Sequence, residues 1–301
     1  MFKINKGAWP SISVLLGAVL FCYWLGGCIS LLVTCLIYNK GFFEIQQLIK
    51  MPDQTGNGVQ VLMTYLILNS LFSFLFIPLM YLRATKANIS NYKHGEISLW
   101  LLVLSVAIIF AIIPLNSFIV SFNQSIRFPS FLSGMEDKLV EYENFSKNII
   151  TVLLSSKYPG MYFKLALTLA IIPGIVEEFF FRKLLQPKLI EITGNAHCGI
   201  IFCSLTFSIM HFQFYGILPR LLFGIVFGYL YLWSRDLIYP IIAHIINNLM
   251  VVTLGFYFSS RDLGIQREID KPIVIVGSLV MTTIILLLIR RKQRKSYKLV
   301  R

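Results

Sequence analysis

Pro173-Gly174-Ile175-Val176-Glu177-Glu178-Phe179-Phe180-Phe181-Arg182 is an apolar run that holds two adjacent carboxylates and a cation. The run begins near Met161, so both acids fall well inside a stretch that reads as a membrane helix. A charged side chain near the bilayer centre costs about 2.5–3.5 kcal/mol even on the lenient insertion scale, so acids placed there are functional candidates by default. Helical geometry separates the two. Glu178 and Arg182 are four residues apart, share a face and can pair. Glu177 is turned about 100° away and has no cation at helical spacing. A structural ion pair accounts for one acid and leaves the other free.

The rest of the chain sets this run in a membrane protein. Of its 301 residues, 56% are hydrophobic and 14% charged, and the mean hydropathy is +0.73. Soluble domains of ordinary composition do not reach these values. The net charge of +13 does not point to nucleic acid, because seven of the 27 basic residues lie between Arg290 and Arg301, directly after an apolar run. That pattern is a cytoplasmic anchor that can touch anionic lipid. The five cysteines (Cys22, Cys28, Cys35, Cys198, Cys203) sit in or beside apolar runs and read as small hydrophobes, not as a disulfide framework.

Eight apolar runs are long enough to span: Ser11–Tyr38, Val59–Leu82, Leu99–Val120, Met161–Leu185, Cys198–Phe214, Leu218–Trp233, Leu237–Phe258 and Ile273–Ile289. Pro114 predicts a kink in the third. Gly224 and Gly228, four apart, predict a close helix contact for the sixth. Between the third and fourth runs, Leu139, Tyr142, Phe145, Ile149 and Val152 recur at roughly helical spacing. They predict an amphipathic helix over Met135–Leu154, lying on the membrane or over the bundle. The expected fold is therefore all-α and polytopic, with about eight transmembrane helices and one extra amphipathic helix. It divides into a membrane region 1–160, a core 161–258, and a last span with a basic tail 259–301. Eight spans put both termini on one side. With that side cytoplasmic, the inner segments carry sixteen Lys or Arg against nine in the longer outer ones. The expected protein is an integral, multi-pass one of a bacterial plasma membrane with cytoplasmic termini.

Further polar residues recur at four-residue spacing inside apolar runs: Phe207 with His211, and His244 with Asn248. Each would be costly facing lipid, so two Glu, two His and an Asn on three spans are expected to converge inside the bundle. Glu177 can act as a general base on a water, with one His beside it to share the proton. A second His and an Asn can donate to a developing oxyanion. No serine or cysteine in these stretches is an obvious nucleophile, since Ser208 is on a different face from His211. The alternative for the same residues is a zinc set of His211, His244 and Glu178, although the dense H-E-x-x-H motif is absent. Metal-free chemistry is the favoured expectation. Two other classes use the same residues: a proton- or ion-coupled transporter with a carboxylate–histidine pathway, and a membrane scaffold without catalysis.

The three motifs, Glu177-Glu178…Arg182, Phe207…His211 and His244…Asn248, occur in the order and spacing that resembles the CPBP family of intramembrane proteases. That family contains the type II CAAX prenyl endopeptidases and the bacterial Abi proteins. The resemblance runs from about Met161 to Met250. It implies an eight-helix membrane fold and hydrolysis of a peptide bond in a membrane-embedded or lipidated substrate. It implies that Glu177 and His211 activate the water, that His244 and Asn248 stabilise the oxyanion, and that Glu178, Arg182 and Phe207 support the site. The implied partners are such a peptide and the bilayer, with no nucleic acid. The family covers prenyl-peptide processing in eukaryotes, and bacteriocin self-immunity and peptide processing in bacteria. One requirement follows from helical rise. Counted from the cytoplasmic ends at about 1.5 Å per residue, Glu177 and His244 lie about 10–12 Å deep and His211 about 20 Å. The helices must therefore tilt, kink at Pro173-Gly174 or start later for the groups to meet.

Overall fold

The computed structural model describes residues 8–52, 57–85, 97–157, 159–258 and 271–299. Among them there are helices and short links and no strand. Lys3 and Lys6, the basic stretch 86–96 and residues 259–270 lie outside the described residues, as do the side chains of the basic tail beyond Arg291.

In chain order the helices are α1 (Ala8–Tyr38), α2 (Phe42–Lys50), α3 (Asn57–Leu71), α4 (Ile77–Thr85), α5 (Leu99–Ala111), α6 (Ile113–Ser125) and α7 (Ser133–Ser155). Then come α8 (Met161–Ala166), α9 (Ile172–Glu178), α10 (Gln186–Thr193), α11 (Ala196–Ile209), α12 (Ile217–Ser234), α13 (Ile238–Phe258) and α14 (Pro272–Leu299). Among the described residues, five helical stretches are long and apolar enough to cross a membrane: Ser11–Tyr38, Asn57–Ala84, Phe214–Ser234, Ile238–Phe258 and Pro272–Arg291. The pair α5 and α6, bent by 42° just before Pro114, where the kink was expected, makes a sixth if the two helices form one span. The protein is thus all-α and polytopic.

The remaining two of the eight expected spans behave differently. The chain is helical from Met161 to Thr193 without a break, but it carries Lys164, Glu177, Glu178 and Arg182. The fifth run forms an α-helix only over the 14 residues of α11, about 21 Å at the helical rise, shorter than a bilayer core of about 30 Å. Asn195 caps it, accepting from the backbone N–H groups of His197 and Cys198 at 2.9 and 3.2 Å.

Among the described residues, three stretches of wider π-helix interrupt the rods: Phe72–Phe76, Leu167–Ile171 and Phe179–Leu185. Each ends two residues before a proline: Pro78, Pro173 and Pro187. A proline has no N–H, and its ring presses on the carbonyl four residues back. Widening the preceding turn relieves that clash while the helix continues. Two of these turns flank α9, the short segment that carries Glu177 and Glu178.

α13 runs through the middle of the bundle, packed against α5, α9, α12 and the π turn Leu167–Ile171. Its approach to α9 is close because Gly174 has no side chain. A Cβ there would fall 2.6 Å from Ile245 Cγ1 and 3.2 Å from the Ile245 backbone nitrogen. Gly224 and Gly228 face Ser204 and Ile200 of α11, the close contact their spacing predicted. On one flank, Leu153 and Leu154 of α7 pack with Leu62, Met161 and Val252. The rest of α7 lies over the bundle as expected of the amphipathic segment, with one difference. Leu139, Glu143 and Ile149 turn inward, while Tyr142 and Phe145 face out.

Candidate active site

Four buried groups form a chain of contacts across three helices. Arg182 and Glu178 are both fully buried, and Arg182 Nε donates to Glu178 Oε2 at 2.8 Å. The four-residue spacing makes this pair, as expected. The guanidinium also approaches Cys203 Sγ of α11 at 3.6 Å through Nη1 and lies 5.7 Å from the centre of the Phe207 ring. The other oxygen of Glu178 meets His244 Nδ1 of α13 at 2.9 Å. A carboxylate oxygen accepts, so His244 Nδ1 is the donor, and Nε2 is the ring nitrogen left for another partner.

That second nitrogen points to Glu177. His244 Nε2 and Glu177 Oε2 are 3.9 Å apart. The Glu177 side chain keeps 12% of its surface exposed while Glu178 keeps none, so Glu177 is the acid that a water can reach. Sequence spacing left Glu177 without a partner, and it has none on its own helix. Its partner comes from α13, which spacing along one helix cannot reveal.

His211 lies just past the end of α11, in the turn before Phe212, whose φ is +54°. Its Nδ1 is 2.9 Å from the Phe207 carbonyl. A carbonyl only accepts, so Nδ1 carries the hydrogen and Nε2 is left to accept. The Phe207 ring stands edge-on to both imidazoles, with centroids 5.1 Å from His211 and 5.8 Å from His244. The two histidines therefore border one and the same aromatic ring. Phe227 stacks on His244 at 5.0 Å and 22°. Asn248 is half-buried one turn along α13 from His244, and its Oδ1 accepts from Asn247 Nδ2 at 3.2 Å, which leaves the Asn248 amide hydrogens to be donated elsewhere.

Glu177 comes within 3.9 Å of His244, while the contact made by the His211 ring is with the Phe207 carbonyl. Gly174 and the wide turns flanking α9 set α9 against α13, and the early end of α11 sets His211 off at a turn. Among the described residues, no three His, Cys, Asp or Glu side chains are gathered to hold an ion. Glu178 spends both oxygens on Arg182 and His244.

Spacing did not bring out Arg220, Asn247, Phe227 or Cys203. Arg220 carried the clearest signal, a cation inside the apolar run of the sixth span. It lies within electrostatic reach of Glu177 and His211.

Residues 159–250 match the family model of the type II CAAX prenyl endopeptidase Rce1-like proteins. The matched segment contains all three motifs, so the resemblance read from them holds over that segment. The chain is similar to the membrane-embedded CAAX protease MroQ of Staphylococcus aureus (strain USA300), 31% identical over 106 residues, which are 34% of this chain and 41% of that protein. It is also similar to the putative membrane peptidase YdiL of Bacillus subtilis (strain 168), 33% identical over 85 residues, 28% and 34% of the two chains. The likeness thus spans less than half the length of either relative. No solved structure matches the chain.

Proposed function

We propose that this protein is an intramembrane endopeptidase that hydrolyses a peptide bond of a membrane-embedded or lipidated substrate with a water activated by Glu177. The observation that carries this reading is the 3.9 Å gap between Glu177 Oε2 and His244 Nε2. Two groups at that separation can both lie within hydrogen-bond reach, about 2.6–3.2 Å, of one water between them. His244 is fixed for the task because Glu178 holds its other nitrogen and Arg182 holds Glu178.

In the proposed reaction the water oxygen attacks the carbonyl carbon as Glu177 takes one of its protons. The oxyanion that forms is met by the free amide hydrogens of Asn248. Collapse breaks the C–N bond, and the proton held by Glu177 passes to the leaving amine, directly or through His211 Nε2. His244 thereby moves from the oxyanion side, where the resemblance put it, to the water. No step requires a metal.

The test is cleavage of membrane peptides by the purified chain, followed by mass spectrometry of the fragments. Wild type should give discrete new termini, Glu177→Ala should give none, and chelators should leave the products unchanged. Loss of cleavage on chelation with recovery on zinc would return His211, His244 and Glu178 to the role of ligands. Proton-coupled uptake into vesicles without any cleavage would put the transporter reading in its place.

A further inference from the structure

α11 and α12 are joined by residues 210–216, which carry His211. Asn123, near the end of α6, is only 1% exposed and reaches into this link. Its Nδ2 donates to the Phe214 carbonyl at 3.2 Å, and its Oδ1 accepts from the Leu218 backbone N–H at 2.8 Å. A carbonyl only accepts and an N–H only donates, so the two partners fix which way the amide points. In a continuing helix the Leu218 N–H would return to the Phe214 carbonyl, four residues back. Here the Asn123 amide stands between them. Gly216, the residue ahead of α12, has no side chain with which to cap that helix. Asn123 therefore does from α6 what an N-cap side chain does from its own helix.

The link is tied on a second side. Ser208 of α11 is fully buried, and its hydroxyl donates to the Ile217 carbonyl at 2.6 Å. Between the two ties, Phe212 takes a φ of +54°. A phenylalanine keeps that left-handed backbone only where its surroundings impose it. The His211 ring has one bond of its own, from Nδ1 to the Phe207 carbonyl, but its backbone belongs to the link. The direction of the ring thus depends on how firmly the link is held. Asn123 lies outside residues 159–250, the segment that the family model matches, so one of these ties comes from the membrane region ahead of that segment. We propose that Asn123 is a positioning residue for His211: its amide pins the link so that the imidazole stays bonded to the Phe207 carbonyl, with Nε2 free to carry the proton to the leaving amine.

This rests on the endopeptidase reading, and the experiment separates the two. The full chain is placed in lipid nanodiscs with a synthetic pool of apolar peptides, and one cleaved peptide is used for kinetics. Asn123→Leu keeps the size of the side chain and removes both hydrogen bonds. It should lower kcat about tenfold with KM changed less than about twofold, a part of the loss of about a hundredfold that a full ångström of displacement brings. In His211→Gln, adding Asn123→Leu should cost less than about twofold further, because both changes act on one group. A full tenfold loss in that background would leave Asn123 as a helix cap alone and overturn the proposal. The second readout is the ring itself. The chain has four histidines, and nitrogen-15 labelling identifies His211 by the signals lost in His211→Gln. At about pH 8, above the ordinary imidazole range, wild type should show one tautomer with its hydrogen on Nδ1, and Asn123→Leu a mixture of two. A cap that only stabilises α12 would not move these signals. A mixture already in wild type, or one unchanged tautomer in Asn123→Leu, would overturn the proposal. Asn123→Ala takes the same readings where the leucine variant does not fold, and the spectra decide where His211→Gln leaves no rate to compare. If wild type cuts no peptide above Glu177→Ala, the endopeptidase reading fails, while the spectra still decide whether Asn123 holds the ring.

Discussion

Arg182 donates to Glu178, and Glu178 holds His244, so a change at any one of these buried groups is felt by the other two. Glu178→Gln would leave the guanidinium buried without a counter-charge. The expected cost is about 3–5 kcal/mol, visible as lower expression and a lower unfolding temperature in detergent. Activity should fall with it, because His244 loses the acceptor that orients it. Glu177 carries no such structural duty, since its one ion-pair contact among the described residues is His244 at 3.9 Å. Glu177→Gln should therefore leave the unfolding temperature within a degree or two of wild type, since a change that breaks no buried pair is worth no more than about 0.5 kcal/mol. It should still lower kcat at least about a hundredfold, the low end for loss of a general base. Cleavage by Glu177→Gln at the wild-type rate would reject the mechanism. Equal loss of stability in both variants would reject the division of labour between the two acids.

The helix Met161–Thr193 owes its shape to Pro173 and Pro187 and its place to Gly174. The wide turns keep the rod continuous where a proline would otherwise break it, and they leave α9 as a two-turn segment that aims two carboxylates at α13. Gly174→Ala puts a methyl group 2.6 Å from Ile245 Cγ1, too close without a shift of α13. Overpacking of this kind costs about 1–3 kcal/mol. The larger effect should be on rate, because an ångström of displacement between the Glu177 and His244 helices is enough to cost about a hundredfold. Ile245→Ala should restore part of the loss when combined with Gly174→Ala, because it removes the atom that collides. Rates for the double variant no better than for Gly174→Ala would show that the contact does not set the helix spacing.

At the scale of the molecule, the basic residues predict which way the bundle faces. Lys188 lies in α10, the last segment of the site helix, and Ser125 at the end of α6. In the orientation with cytoplasmic termini, the first is inside and the second outside. In a background with all five free cysteines replaced, Ser125→Cys should react with a membrane-impermeant thiol reagent on intact cells, and Lys188→Cys should react only after lysis. The opposite pattern would invert the proposed topology.

By itself the sequence determined the membrane class, the all-α fold, and the contacts made within one helix. Glu178 with Arg182, and Phe207 with His211, were legible because four residues along a helix return to the same face, whatever surrounds it. The kink at Pro114 and the close face of Gly224 and Gly228 were legible for the same local reason. The span count was less so. Hydropathy cannot tell that the fifth apolar run stops being helical at Ile209, or how a helix with Lys164, two acids and Arg182 sits in a bilayer. Only the tertiary structure decided that His244 divides its two nitrogens between Glu178 and Glu177. Contacts between helices depend on how closely the rods cross and how they are rotated about their axes. Here those are set by Gly174 against Ile245 and by the turns widened ahead of Pro173 and Pro187, whose effects add up in space and not along the chain.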